Sequence, residues 1–379
     1  MRIGIEAQRI FRAEKHGMDF VVLELIKNLQ KLDLENQYFI FVQDGPDDQV
    51  LEETENFRII RFRAFFPIIE QILIPLKARK LKLDLIHFTS NTAALFPGTK
   101  LMVTLHDIIF IEVNPLREKE YSSYQTFGNL YRRMIFRRLL KRVDRWITVS
   151  HSEKSIITRA IKRIAPEDIV VIHNGYSKHF KIIEDQAHLD QVRTHYNLPD
   201  RFALFLGNTD PKKNSKALIE AFARFANEEQ SKLKLVIADL EESVLDNYLN
   251  QAEISHLKDS FHLTNYVKNK DLAAIMNLAE MFLYPSLRES FGIPILEAMA
   301  CGTPVITGDS SSMPEVAADA AMLVNAHSVE DLSDAISKLL GDSGLKQSLQ
   351  NAGLIRIESF SWEQSARKTL DEYLNLGAV

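Results

Sequence analysis

One cysteine in 379 residues, Cys301, has no partner inside the chain. That excludes an intrachain disulfide framework and a cysteine zinc cage. No apolar run approaches the roughly 20 residues of a membrane-spanning helix. The opening stretch MRIGIEAQRI lacks a signal-peptide apolar core and reads directly as a strand. A cytoplasmic location is the resulting expectation. Also missing are a G-x4-G-K-[ST] phosphate loop, tandem repeats and low-complexity tracts. The Asp44, Asp47 and Asp48 turn reads as surface, so no metal and no resident cofactor are expected.

Charge is nearly balanced overall, at −5, but unevenly placed. Residues 1–180 carry 28 Lys+Arg against 22 Asp+Glu, and residues 181–379 carry 18 against 29. A basic half attracts an anionic surface or phosphate, or is simply a solvated helix face.

What is present is alternation. Short apolar runs (MRIGIEA, YFIFVQ, LDLIHFT, KLMVTLH, RWITVS, DIVVIHN) are separated by helical patterns such as FVVLELIKNLQKL and IIEQILIPLKARKLK. The second half repeats the theme with FALFLGN, KLKLVIA, MFLYPS and TPVITG. Strands alternating with helices predict parallel sheets covered on both faces, hence an α/β chain with two doubly wound domains. The polar stretch 176–201, ending in Leu-Pro-Asp, reads as the linker. Ligands of open α/β sheets sit beyond the carboxyl ends of the strands. Candidate chemistry is therefore sought just after each strand.

Three such places stand out. In YPSLRESFGIPILEAMACG, Glu289 lies in a loop, Pro294 marks a helix start, and Glu297 falls about one turn in. Gly292 permits close backbone approach, and a helix start favours anions or hydroxyls. Two carboxylates there can accept from sugar hydroxyls, or can simply complement the helix dipole. In FLGNTDPKKNSKALIEAF, Gly207, Lys212 and Lys213 follow a strand, and Asn214 or Ser215 is placed to cap the next helix. That loop can hold a diphosphate or be an ordinary charged turn. In VTLHDIIF, His106 leaves a buried strand and is either a hydroxyl donor or a satisfied structural histidine. Cys301, among small apolar residues, reads as helix-end packing.

Together these stretches resemble the family 4 glycosyltransferases, retaining enzymes of the GT-B fold. The segment 284–324 is similar to their donor-site signature. LGNTDPKKNSKALIEAF resembles their lysine-bearing loop. VTLHDIIF, VSHSE, IHNGY and FSWEQSARKTLDEY resemble further blocks. The resemblance implies two Rossmann-like domains facing a central cleft, an acceptor domain over 1–178 and a donor domain over 179–360. The terminal helix 361–379 would pack back on the first. It implies that Glu289 contacts the donor sugar and Glu297 the ribose hydroxyls. The backbone of Phe291, Gly292 and Ile293 would meet sugar and diphosphate, and Lys213 would neutralise the leaving diphosphate. His106 would reach the transferring sugar, and Val267 would lie at the nucleobase. Two positions depart from the pattern. Lys212 replaces an arginine and cannot make its bidentate fork. Gly17-Met18-Asp19 replaces Gly-x-Gly, so Gly17 stays a donor-site candidate, while Asp19 is not expected on phosphate.

The implied reaction moves a hexose, of the mannose or glucose type, from a nucleoside diphosphate sugar to a hydroxyl of a glycan or polyprenyl-linked acceptor. The basic segments 65–82 and 131–146 allow peripheral contact with an anionic membrane. No groove-reading or stacking motif points to nucleic acid. The alternatives are a sugar-nucleotide epimerase or phosphorylase of the same fold, or a catalytically silent binding protein.

Overall fold

The structure, a computed structural model, describes residues 1–13, 15, 17–112 and 123–378. The chain divides into two compact units. Unit 1 comprises Met1–Gly175 and Trp362–Val379, and unit 2 comprises Tyr176–Ser361.

Unit 1 holds a seven-stranded parallel sheet of β1 (Arg2–Glu6), β2 (Gln37–Gln43), β3 (Phe57–Phe62), β4 (Leu85–Phe88), β5 (Lys100–Thr104), β6 (Arg145–Thr148) and β7 (Ile169–Val171), in the order 3-2-1-4-5-6-7. The central strands β4 and β5 are buried almost throughout, as a sheet covered on both faces requires. The helix Gly17–Leu32 lays Val22, Leu23, Ile26 and Leu29 into one core, which the last helix, Trp362–Gly377, completes with Ala366, Tyr373 and Leu376.

That last helix is tied in by polar bonds as well. His87 on β4 places Nδ1 2.7 Å from the Tyr373 hydroxyl and Nε2 2.7 Å from Thr104 Oγ1. Burial pushes the His87 pKa down to about 3, so the ring is neutral and its two hydroxyl partners satisfy it. Tyr373→Phe leaves one ring nitrogen unpaired in the core. The expected cost is about 1–3 kcal/mol in urea unfolding of the full chain, and a change within error of zero contradicts this buried bond.

Unit 2 has a six-stranded parallel sheet: β8 (Phe202–Leu206), β9 (Lys234–Ala238), β10 (Phe261–Leu263), β11 (Met281–Tyr284), β12 (Val305–Gly308) and β13 (Ala321–Val324), ordered 10-9-8-11-12-13. The helix Ser215–Glu229 covers β8 and β9 with Leu218, Ile219, Phe222 and Phe225, all fully buried. Strand order reverses direction between β8 and β11. In open α/β sheets the carboxyl end of such a switch point is where ligands sit.

Besides the edge strands β3, β10 and β13, which the sequence patterns do not show, three elements differ from the sequence reading. Residues 176–201, read as a linker, contain the helix Gln186–His195; it buries only Leu189 and Val192, too sparse a pattern to stand out. The predicted helix over 68–82 is interrupted by a π-helical turn, Ile69–Leu73, just before Pro75, whose ring and missing N–H disturb the preceding turn. Asn214 does not cap the next helix through its side chain. It adopts a left-handed backbone, and its amide donates to the carbonyls of Ala326 (2.6 Å) and Pro285 (3.2 Å).

Candidate active site

The β8 and β11 loops bring Lys213 and Glu289 together. Lys213 Nζ lies 2.7 Å from Glu289 Oε1 and 3.0 Å from the Tyr284 hydroxyl. The pair is four-fifths buried or more, with side-chain exposures of 20% and 15%. Tyr284, fully buried, has its pKa raised by burial and then by Glu289, so it is a neutral hydroxyl. The two loops are stitched by a main-chain bond, Leu287 N–H to the Lys212 carbonyl at 2.7 Å. Lys212 itself turns toward Asp210, at 3.2 Å, so its charge is partly spent outside the Lys213–Glu289 pair.

Two serines after β12 hold the Glu289 loop. Ser311 Oγ donates to the Glu289 carbonyl at 2.6 Å and accepts its N–H at 3.1 Å. Ser312 Oγ, 3.0 Å from the Glu289 carbonyl, also lies 2.9 Å from that of Phe291. The Phe291 ring packs against Phe360, which leaves its backbone as the polar element facing the loop. Gly292, at φ +100, is the residue before the helix Ile293–Ala300. A side chain there would be strained by that backbone angle and would press on Ile295 at 3.2 Å. Gly207 is required for a different reason: a Cβ would sit 2.8 Å from Ile237 and Phe205.

Glu297 lies one turn into that helix. Its carboxylate is crowded by protein atoms, while the residue keeps some contact with solvent. It makes no hydrogen bond or ion pair among the described residues. Burial raises its pKa to about 8. An unpartnered carboxylate in such a place costs stability and waits for a donor. A vicinal diol offers two.

The remaining candidates are placed as follows. Val267, 8% exposed, lies in the loop between β10 and the helix Asn269–Leu278, again at a carboxyl end of the sheet. In unit 1, His106 follows β5. Its N–H donates to Asn91 Oδ1 at 2.6 Å, and its Nε2 is 2.9 Å from the Thr89 carbonyl. A carbonyl only accepts, so Nε2 carries the proton and Nδ1 is the basic atom. Burial, foremost, lowers the His106 pKa, so the ring is neutral near pH 7. Gly17 opens its helix with open space around it, while Glu14 and His16 of the preceding loop lie outside the described residues. Asp19 is buried and ion-paired with Arg9 at 3.0 Å. A cavity of ≈ 710 Å³ elsewhere in unit 2 is lined by both charge signs, including Lys181, Glu184 and Asp185, and includes none of Lys213, Glu289 or Glu297.

Tyr284, Ser311 and Ser312 did not emerge as individual residues from sequence, although all lie in the 284–324 segment. The DSSSMPE run after a strand was the available signal for the serines.

Two parallel-sheet units with a lysine, two carboxylates and a glycine-opened helix at the switch point of the second define a class. The chain is a glycosyltransferase of the GT-B fold. It belongs among the family 4 and group 1 sugar transferases: residues 16–179 match "Glycosyltransferase Family 4" and residues 190–355 match "Glycosyl transferases group 1". It is 30% identical over 281 residues to the serotype-specific mannosyltransferase WbdA of Escherichia coli, covering 73% of this chain and 34% of that protein. Identity to the E. coli O-antigen chain mannosyltransferase B is 29%, over 60% of this chain and 59% of the relative. The chain thus spans about a third of the first relative and about three-fifths of the second. Anabaena HepE, solved in complex with UDP and glucose, shares the fold with a TM-score of 0.74 at 17% identity, over 99% of this chain and 100% of HepE.

Proposed function

We propose that the chain is a retaining hexosyltransferase. It takes a sugar of the mannose or glucose type from a nucleoside diphosphate sugar and places it on a hydroxyl of a glycan or polyprenyl-linked acceptor, in polysaccharide or glycoconjugate synthesis. The observation that carries this reading is the unpartnered carboxylate of Glu297, one helical turn beyond the Lys213–Glu289 pair. The mannosyltransferase relatives and the UDP- and glucose-bound HepE support the donor class.

In this reading Glu297 accepts both ribose hydroxyls. Lys213 leaves Glu289 for the diphosphate, and Glu289 takes a sugar hydroxyl in exchange. The anomeric C–O bond to the diphosphate breaks as the acceptor oxygen bonds to the same face of the carbon. The departing phosphate oxygen takes the acceptor proton. Negative charge grows on that leaving group, where Lys213 and the amides at the helix start oppose it. Glu289 in this reading clamps a sugar hydroxyl and is not the nucleophile of a double displacement. His106 serves transfer, with Nδ1 as acceptor for a sugar hydroxyl.

The test is NMR analysis of product from GDP-mannose and UDP-glucose with a polyprenyl-diphosphate-linked glycan acceptor. A product with the donor's anomeric configuration is expected, and an inverted product overturns the reading. His106→Ala is expected to lower kcat/KM ~10²-fold while leaving nucleoside diphosphate affinity unchanged.

A further inference from the structure

Unit 1 carries an exposed face that neither its core nor the candidate site uses. Along residues 65–76, Phe65, Ile68, Ile72 and Leu76 recur at helical spacing and are 51%, 44%, 52% and 58% exposed. On the helix Ser123–Leu139, Phe127, Leu130 and Met134 do the same, at 44%, 51% and 48%. The rows meet where the Phe65 and Phe127 rings stand 5.8 Å apart. Single exposed apolar residues are ordinary, whereas two joined rows mark a contact surface.

Each row ends in cations. Arg79 and Lys80 follow Leu76, and Arg137, Arg138, Lys141 and Arg142 follow Met134. The loop 95–98 lies between these basic ends. Arg142 donates to the Leu95 carbonyl at 3.2 Å and sits 4.3 Å from the ring of Phe96, which is 63% exposed. On the other side, the Arg79 side chain lies against Gly98. Arg137, Arg138, Lys141, Arg142 and Arg163 line a groove of ≈ 660 Å³ with Leu95 and Phe96. Among the described residues, none of these cations pairs with a carboxylate. Residues 65–82 and 123–143 hold one acid, Glu70, and it is buried.

We propose that this face docks unit 1 on an anionic lipid bilayer, with the apolar rows entering the headgroup–acyl boundary and the groove cations meeting lipid phosphates. Nucleic acid would use the cations and leave the apolar rows wet. A second copy would bring like charges together. A bilayer with anionic headgroups satisfies both halves of the face at once. This goes beyond the transferase reading and does not depend on it.

The test is co-sedimentation of the full chain with phosphatidylcholine vesicles and with equimolar phosphatidylcholine–phosphatidylglycerol vesicles. Binding to the anionic vesicles well above the neutral ones is expected. Arg138→Ala/Lys141→Ala/Arg142→Ala is expected to weaken it ~10²-fold, since each cation near a charged surface is worth about fivefold. Ile72→Ser/Met134→Ser is expected to weaken it at least tenfold, because the apolar rows enter the bilayer. All five positions are exposed, and unchanged thermal midpoints establish that the variants fold. Equal binding to both vesicles overturns the proposal, as does absent binding. Loss with the cation variant alone also overturns it and points to a soluble polyanion instead.

Discussion

Lys213→Ala is expected to lower kcat ~10²–10³-fold, the effect of removing one preorganised group from a developing negative charge. The Lys213 ammonium is held by Glu289 and Tyr284, 2.7 and 3.0 Å away, in a setting with little solvent. In the proposed role the cation exchanges Glu289 for the diphosphate when the donor binds, so it is already in place when charge develops as the anomeric bond breaks. A purely structural lysine would behave differently. Its loss would strand Glu289, and Lys213→Ala/Glu289→Gln would restore the rate by removing the stranded charge. The proposed role predicts that the double variant stays at least as slow as Lys213→Ala. Steady-state kinetics on both variants separates the two roles.

Glu297→Gln is expected to weaken nucleoside diphosphate binding ~10²-fold, because two charge-assisted hydrogen bonds to a diol become neutral ones and one loses its acceptor. The same change is expected to stabilise the empty protein at alkaline pH. The sign follows from linkage. Burial raises the folded-state pKa of Glu297 from 4.5 to about 8, so the native protein holds this proton more tightly than the unfolded chain does. Stability of the empty wild type therefore falls as pH rises between those values, and glutamine removes that contribution. Thermal midpoints of the two proteins should diverge with rising pH, the variant melting higher at pH 8 than the wild type. In parallel, the stabilisation that nucleotide gives the wild type should grow up to about pH 8 and level off. A variant that melts lower at pH 8 contradicts an unpaired, buried carboxylate.

The inner strands were legible because strands buried on both faces are unbroken apolar runs, such as FALFL and KLVIA. The strands that the sequence reading missed, β3, β10 and β13, all lie at sheet edges. There one side lacks a partner strand and polar residues interrupt the pattern, as Arg58 and Arg61 do in β3. Lys213, Glu289 and Glu297 could be singled out because each lies just after a strand or at a helix start, and local sequence marks those places. Their grouping was implied by family resemblance, and the ion pair between Lys213 and Glu289 was not readable at all. It depends on β8 and β11 being neighbours across the switch point, a tertiary fact. Tyr284 was hidden for the same reason: within MFLY it looks like one more core aromatic, and only the fold turns its hydroxyl to Lys213.

The central claim is that Glu297 and the Lys213 loop form a nucleoside diphosphate sugar site. The measurement that tests it most directly is isothermal titration of wild type and Glu297→Gln with GDP-mannose, UDP-glucose and ADP-glucose at pH 8. Saturable binding of one base class to the wild type, weakened ~10²-fold in the variant, is expected. Equal affinity of wild type and variant for the donor that binds would contradict it.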